Sequence, residues 1–102
     1  MGKSSRDKGA RGEREVCAIF REAGYDVNRT PNSGGLHIAG DVQGVSGYHV
    51  EVKRQETLHL DQWSEQAEAE CGEAIPLVIY RRSGKPWRVS MRLSDWLEER
   101  EL

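Results

Sequence analysis

The chain has 102 residues, 36% hydrophobic, 31% charged and 7% aromatic, with a formal net charge of −2. That length holds one core, so a single domain over 1–102 is expected, and the mixed composition excludes a disordered acidic or basic tail. No apolar run approaches the ~20 residues that cross a bilayer, and the charged start Met1-Gly2-Lys3-Ser4-Ser5-Arg6-Asp7-Lys8 lacks the apolar stretch of an export signal, so a cytoplasmic location is expected.

Residues 7–23 read as a helix, with Ala10, Val16, Cys17, Ile19, Phe20 and Ala23 at three- and four-residue spacing and Gly24 as its stop. Gly9 and Gly12 weaken its first turns. Tyr25 to Thr30 alternates as a short strand, and Pro31-Asn32-Ser33-Gly34-Gly35 is a loop. Ile38 to Val45 reads as a second strand, Ser46-Gly47 as a hairpin turn, and Tyr48 to Lys53 as a third strand. On that third strand Tyr48, Val50 and Val52 take one face, and His49, Glu51 and Lys53 take the other. Leu60 to Cys71 is a second helix with an apolar stripe of Leu60, Trp63, Ala67 and Cys71, ended by Gly72. Ile75 to Arg81 is a continuous apolar strand, expected at the centre of a sheet. After the turn Ser83-Gly84-Lys85-Pro86, Trp87 to Met91 returns as a strand, and Ser94 N-caps a last short helix through Trp96 and Leu97. The order α-β-β-β-α-β-β-α predicts an α/β fold, a mixed β-sheet flanked by helices.

Charge is uneven along the chain. Residues 1–14 and 81–92 are basic, and residues 56–73 carry six acids with no Lys or Arg. This distribution fits a positive face that neutralises phosphates within an acidic protein. It fits an ordinary solvated surface equally well. Cys17 and Cys71 sit in no CxxC or Cys/His cluster, so they read as reduced packing residues rather than zinc ligands.

Asp41, Glu51 and Lys53 carry the chemical signal. Glu51 and Lys53 share a strand face, and a turn at Ser46-Gly47 sets Asp41 opposite Glu51. Two opposed carboxylates repel. A cation between them removes the penalty, and Mg²⁺ favours such hard oxygen ligands. A metal there activates water, and Lys53 stabilises charge on a phosphate. Glu13 on the first helix is the candidate third acid. Glu15 is its rival, and ~200° of helix between them lets only one face the site. Acid-x-Lys on a strand also occurs as a plain surface ion pair. His49 reads as a satisfied edge-strand histidine, while His37 and His59 lack ligand spacing. Trp63, Trp87 and Trp96 read as core or interface.

Lys8-Gly9, Glu13-Arg14, Asn32-Ser33-Gly34, Gly40-Asp41, Glu51-Val52-Lys53-Arg54, Gln66-Ala67 and Leu77-Val78-Ile79-Tyr80-Arg81 together resemble the PD-(D/E)xK nuclease superfamily. The resemblance is to its Holliday-junction-resolvase-like members from archaea and phages, and it spans residues 3–97. It implies a restriction-endonuclease-like fold and a Mg²⁺- or Mn²⁺-dependent endodeoxyribonuclease. Asp41, Glu51, the Val52 carbonyl and Glu13 would then hold metal, and Glu13, Asp41, Glu51 and Lys53 would be catalytic. Lys8, Arg11, Ser33, Arg54 and Gln66 are the expected DNA contacts. Branched DNA is the expected substrate, a homodimer the expected assembly, and recombination or repair in a bacterial or phage-infected cell the expected setting. Nicking, flap or restriction-like cleavage, or DNA binding without turnover, are the alternatives. Gly40-Asp41 stands where the family has Pro-Asp, and the chain is shorter and more acidic than archaeal resolvases.

Overall fold

Three helices and five strands follow one another in the expected order: α1 (Gly2–Glu22), β1 (Asn28–Arg29), β2 (Val42–Gln43), β3 (Tyr48–Arg54), α2 (Leu60–Glu70), β4 (Ile75–Arg81), β5 (Arg88–Ser90) and α3 (Leu93–Arg100). The structure is a computed structural model that describes residues 2–31 and 40–100, with side chains from residue 9 onward. The strands form one mixed sheet in the order β1-β2-β3-β4-β5. β3 and β4 are parallel, joined through α2, and every other pair is antiparallel. The expected α/β fold is present, with β3 rather than β4 at the middle of the sheet.

Each strand face is covered by a helix. On one face Val16 and Cys17 of α1 pack with Val27, Val42, Val50, Val52, Leu77 and Ile79. On the other, Trp63 and Ala67 of α2 pack on Val78, flanked by Leu60 and Tyr80. Each fully buried Val, Leu or Ile side chain contributes roughly 1.5–3 kcal/mol. Ile19, expected on the apolar stripe of α1, is 49% exposed, because Val16 and Cys17 already define the buried line.

Backbone hydrogen bonds end α1 as a Schellman motif: Gly24 N–H donates to Arg21 O and Tyr25 N–H to Phe20 O, both at 3.0 Å. Gly12 lets α1 lie close on the sheet, since a Cβ there would come within 3.1 Å of the Arg54 Cβ. Tyr48 N–H donates to Val45 O across the expected Ser46-Gly47 turn. Val42 pairs with Val50, which centres the hairpin on residue 46 and sets Asp41 opposite Glu51. The N-terminus of α3 differs from expectation. The helix starts at Leu93, and Trp96 N–H donates to Arg92 O, so Arg92 takes the capping position and Ser94 lies inside the first turn. Arg92 Nε also donates to Asp95 Oδ2 at 2.7 Å.

Candidate active site

Asp41 is fixed by three bonds to neighbouring strands. Its N–H donates to Val50 O at 2.7 Å, its carbonyl accepts from Thr30 N–H at 2.9 Å, and its Oδ2 accepts from Val52 N–H at 2.8 Å. The residue before it, Gly40, has φ 77°, and a Cβ there would lie 2.6 Å from the Val50 carbonyl oxygen. Proline cannot adopt that φ. The Gly-Asp pair is therefore this chain's own way of bringing Asp41 against β3.

Glu13 reaches the same place from α1. Its Oε1 accepts from Arg29 Nε at 3.0 Å. Burial raises the Glu13 pKa, the Arg29 hydrogen bond opposes that, and the Asp41 charge raises it again. Glu15 points elsewhere: its carboxylate lies 3.7 Å from Arg54 Nε and 3.6 Å from Arg81 Nη2. Of the two helix acids, Glu13 is the one beside Asp41.

Glu13, Asp41, Val52 and Lys53 line one open cleft of about 630 Å³, with Gly9 and Thr57 at its walls. The cleft opens past the C-terminal end of β3, beside the parallel strand β4, where open α/β sheets commonly place ligands. A second depression of about 350 Å³ begins at Leu58 and is lined by Arg81, Arg82, Lys85 and Arg88 of the β4–β5 hairpin. Ser83, in the turn of that hairpin, donates its hydroxyl to Glu56 Oε2 at 2.6 Å, and Glu56 lines the cleft, so the basic hairpin lies beside it.

Glu51 is not at an open edge. It is 5% exposed on a sheet face that α2 covers, so the plain surface ion pair that Glu51-x-Lys53 also allowed does not describe Glu51. Burial first, and then the Asp41 carboxylate, push the Glu51 pKa up to about 7. His49 and Lys53 oppose that rise. His49 is corrected, from an edge-strand residue to a side chain 1% exposed in the middle strand. Its Nε2 lies 2.6 Å from Glu51 Oε2. Glu70, near the end of α2, joins them, so that one ligand atom from each of the three lies within 4.8 Å of the others.

The expected DNA contacts are placed differently from one another. Arg11 is exposed on α1, and Gln66 is exposed on α2 one turn before Glu70. Arg54 lines the cleft with its guanidinium drawn towards Glu15. The Lys8 side chain and all of Ser33 lie outside the described residues, as does His37. Sequence reasoning passed over Arg29 and Glu70. Arg29 is recognisable only once β1 is paired with β2, and Glu70 only once α2 is laid over β3. His49 carried a signal, its spacing of two from Glu51.

These features agree with known proteins. A family model described as "Phage putative PDDEXK endonuclease" matches residues 4–101. No curated protein sequence matches the chain. Among solved structures, the chain is similar to Hjc, a Holliday junction resolvase from the archaeal hyperthermophile Archaeoglobus fulgidus, with 22% identity and a TM-score of 0.58 over 81% of this chain and 76% of that one. That likeness extends the restriction-endonuclease-like architecture to this sheet and its helices. The family match covers nearly the whole chain, and the chain belongs to the phage PDDEXK endonuclease family.

Proposed function

We propose that the chain is a divalent-metal-dependent endodeoxyribonuclease that hydrolyses phosphodiester bonds in branched DNA, four-way junctions above all. The observation that carries this reading is the convergence of Glu13, Asp41, Val52 and Lys53 on one cleft, with Glu51 next to Val52 on β3. The donor set suits Mg²⁺ or Mn²⁺: carboxylate oxygens of Glu13, Asp41 and Glu51 and the Val52 carbonyl, all hard ligands. Crowding supports the fit, since Asp41 helps push both Glu13 and Glu51 towards their neutral forms, a cost that a cation removes. When bound, the ion would supply an activated water and offset charge at the scissile phosphate. Lys53 lines the cleft, and its ammonium orients the attacking water and stabilises the phosphate's developing charge. Arg29 keeps Glu13 turned to the site through Oε1. Arg81, Arg82, Lys85 and Arg88 hold the phosphate backbone beside the cleft. The products are a 5′-phosphate and a 3′-hydroxyl.

A four-way junction offers two strands for paired cuts, and one site per chain calls for a second copy. The surface proposed for that copy is the β5 edge with α3, where Val89, Leu93, Trp96 and Leu97 stand exposed. No described helix is long and apolar enough to cross a membrane.

Incubation with Mg²⁺ and matched four-way junction, flap and linear duplex DNA tests the proposal. Paired symmetric nicks on the junction are expected. Cleavage confined to flap or duplex reassigns the substrate, and no cleavage of any of the three with Mg²⁺ or Mn²⁺ overturns the proposal.

A further inference from the structure

A histidine at the centre of a sheet needs a reason. His49 is 1% exposed, between two strands and under a helix, where an apolar side chain would avoid the cost of burying an imidazole. Its Nδ1 is buried with no hydrogen-bond partner, and its hydrogen bond among the described residues runs from Nε2 to Glu51 Oε2 at 2.6 Å. The contact is built into the backbone. Residues two apart on a strand share a face, and the register of β3 on β4, His49 on Pro76 and Glu51 on Val78, holds both in place.

We propose that His49 is a positioning residue for Glu51, fixing one carboxylate oxygen so that the other is presented to the cation shared with Asp41. This rests on the nuclease reading above. Carboxylates that ligate metals are commonly held by such an outer partner, and losing it typically costs ~10–100-fold in metal affinity or activity. The charged groups around the pair agree with the assignment. Asp41 and Lys53 act on Glu51 from the cleft side, and Glu70 approaches both residues from α2. The Asp41 charge disfavours the Glu51 carboxylate, and the His49 hydrogen bond opposes that.

Calorimetric titration of Mn²⁺ into folded, DNA-free protein tests the role, with wild type, His49→Leu and His49→Gln compared. His49→Leu is expected to bind Mn²⁺ ~10–100-fold more weakly, to bind DNA in EDTA as wild type does, and to lose kcat with KM for DNA little changed. His49→Gln, whose amide N–H reaches the same oxygen, recovers most of the loss. Should His49→Leu not fold, His49→Asn, whose shorter amide falls short of Oε2, replaces it in the comparison. Wild-type Mn²⁺ affinity in the Leu or Asn variant overturns the proposal. So does an imidazole nitrogen directly coupled to Mn²⁺ in electron spin-echo spectra, which would make His49 a ligand. If wild type cuts DNA while the Leu variant does so equally well, the positioning role alone fails. If wild type neither binds Mn²⁺ nor cuts, the nuclease reading fails and takes this inference with it.

Discussion

Asp41 and Val52 are joined across the β2–β3 hairpin by a side-chain to backbone hydrogen bond, Val52 N–H donating to Asp41 Oδ2 at 2.8 Å. One carboxylate therefore stitches the sheet and faces the cleft. The two duties separate by substitution. Asp41→Asn keeps an acceptor oxygen for Val52 and is expected to melt near wild type while losing Mn²⁺ binding and cleavage. Asp41→Ala orphans the Val52 N–H and is expected to lose about 1–3 kcal/mol as well. Paired thermal melts and nicking assays check both.

Metal-free stability should fall as pH rises. Burial and the Asp41 charge push the Glu51 pKa up to about 7 in the fold, against 4.5 for an unperturbed glutamate. Between those values the folded state holds a proton that the unfolded state has released, so this contribution is full below 4.5 and is lost as pH rises through 7. Glu13 is raised too and acts with the same sign. In EDTA, wild type should melt several degrees lower at pH 8 than at pH 5.5, an effect on the order of 1–3 kcal/mol. Glu51→Gln should flatten that slope and raise the melting temperature at pH 8, and Mn²⁺ should raise it for wild type but not for the variant. Scanning calorimetry across pH, with and without Mn²⁺, decides it.

The two helix acids should behave oppositely. Glu13→Gln is expected to cut ~10–100-fold more slowly, as loss of a metal-site group does, with little change in melting temperature. Glu15→Gln removes the shared partner of Arg54 and Arg81, and is expected to lower stability by about 1 kcal/mol while leaving the cleavage rate within a factor of ~2. Equal rate losses in both would place Glu13 outside the site.

Assembly should depend on the β5–α3 surface. Leu93, 69% exposed, and Trp96, 44% exposed, are expected to meet a second copy. Leu93→Glu should convert a dimer to a monomer in sedimentation velocity. It should also replace paired junction cuts with single nicks. A wild type that sediments as a monomer in the presence of junction DNA would remove the dimer from the proposal.

Much of this arrangement was readable in the sequence. The Ser46-Gly47 turn fixed the hairpin midpoint, and the observed Val42–Val50 register places Asp41 opposite Glu51 as counting predicts. Strand alternation put His49, Glu51 and Lys53 on a common side. What periodicity could not say is what covers that side. Alternating polar residues look like a solvated face, so Glu51-x-Lys53 also fitted a surface ion pair and His49 an edge strand, whereas α2 lies over them. Arg29 belongs to the same class: a two-residue strand has too little pattern to reveal its pairing. The choice between Glu13 and Glu15 likewise needed α1 laid on the sheet, because helical spacing says that the two diverge but not which one points where.

The middle position of β3 has a dynamic consequence. Its backbone is bonded to β2 on one side and β4 on the other, under a helix on each face. The amide of Val50 can then exchange with solvent only when the whole molecule opens, and it should be among the slowest of the described residues. The groups proposed to act on the phosphodiester thus ride on the segment that is last to loosen.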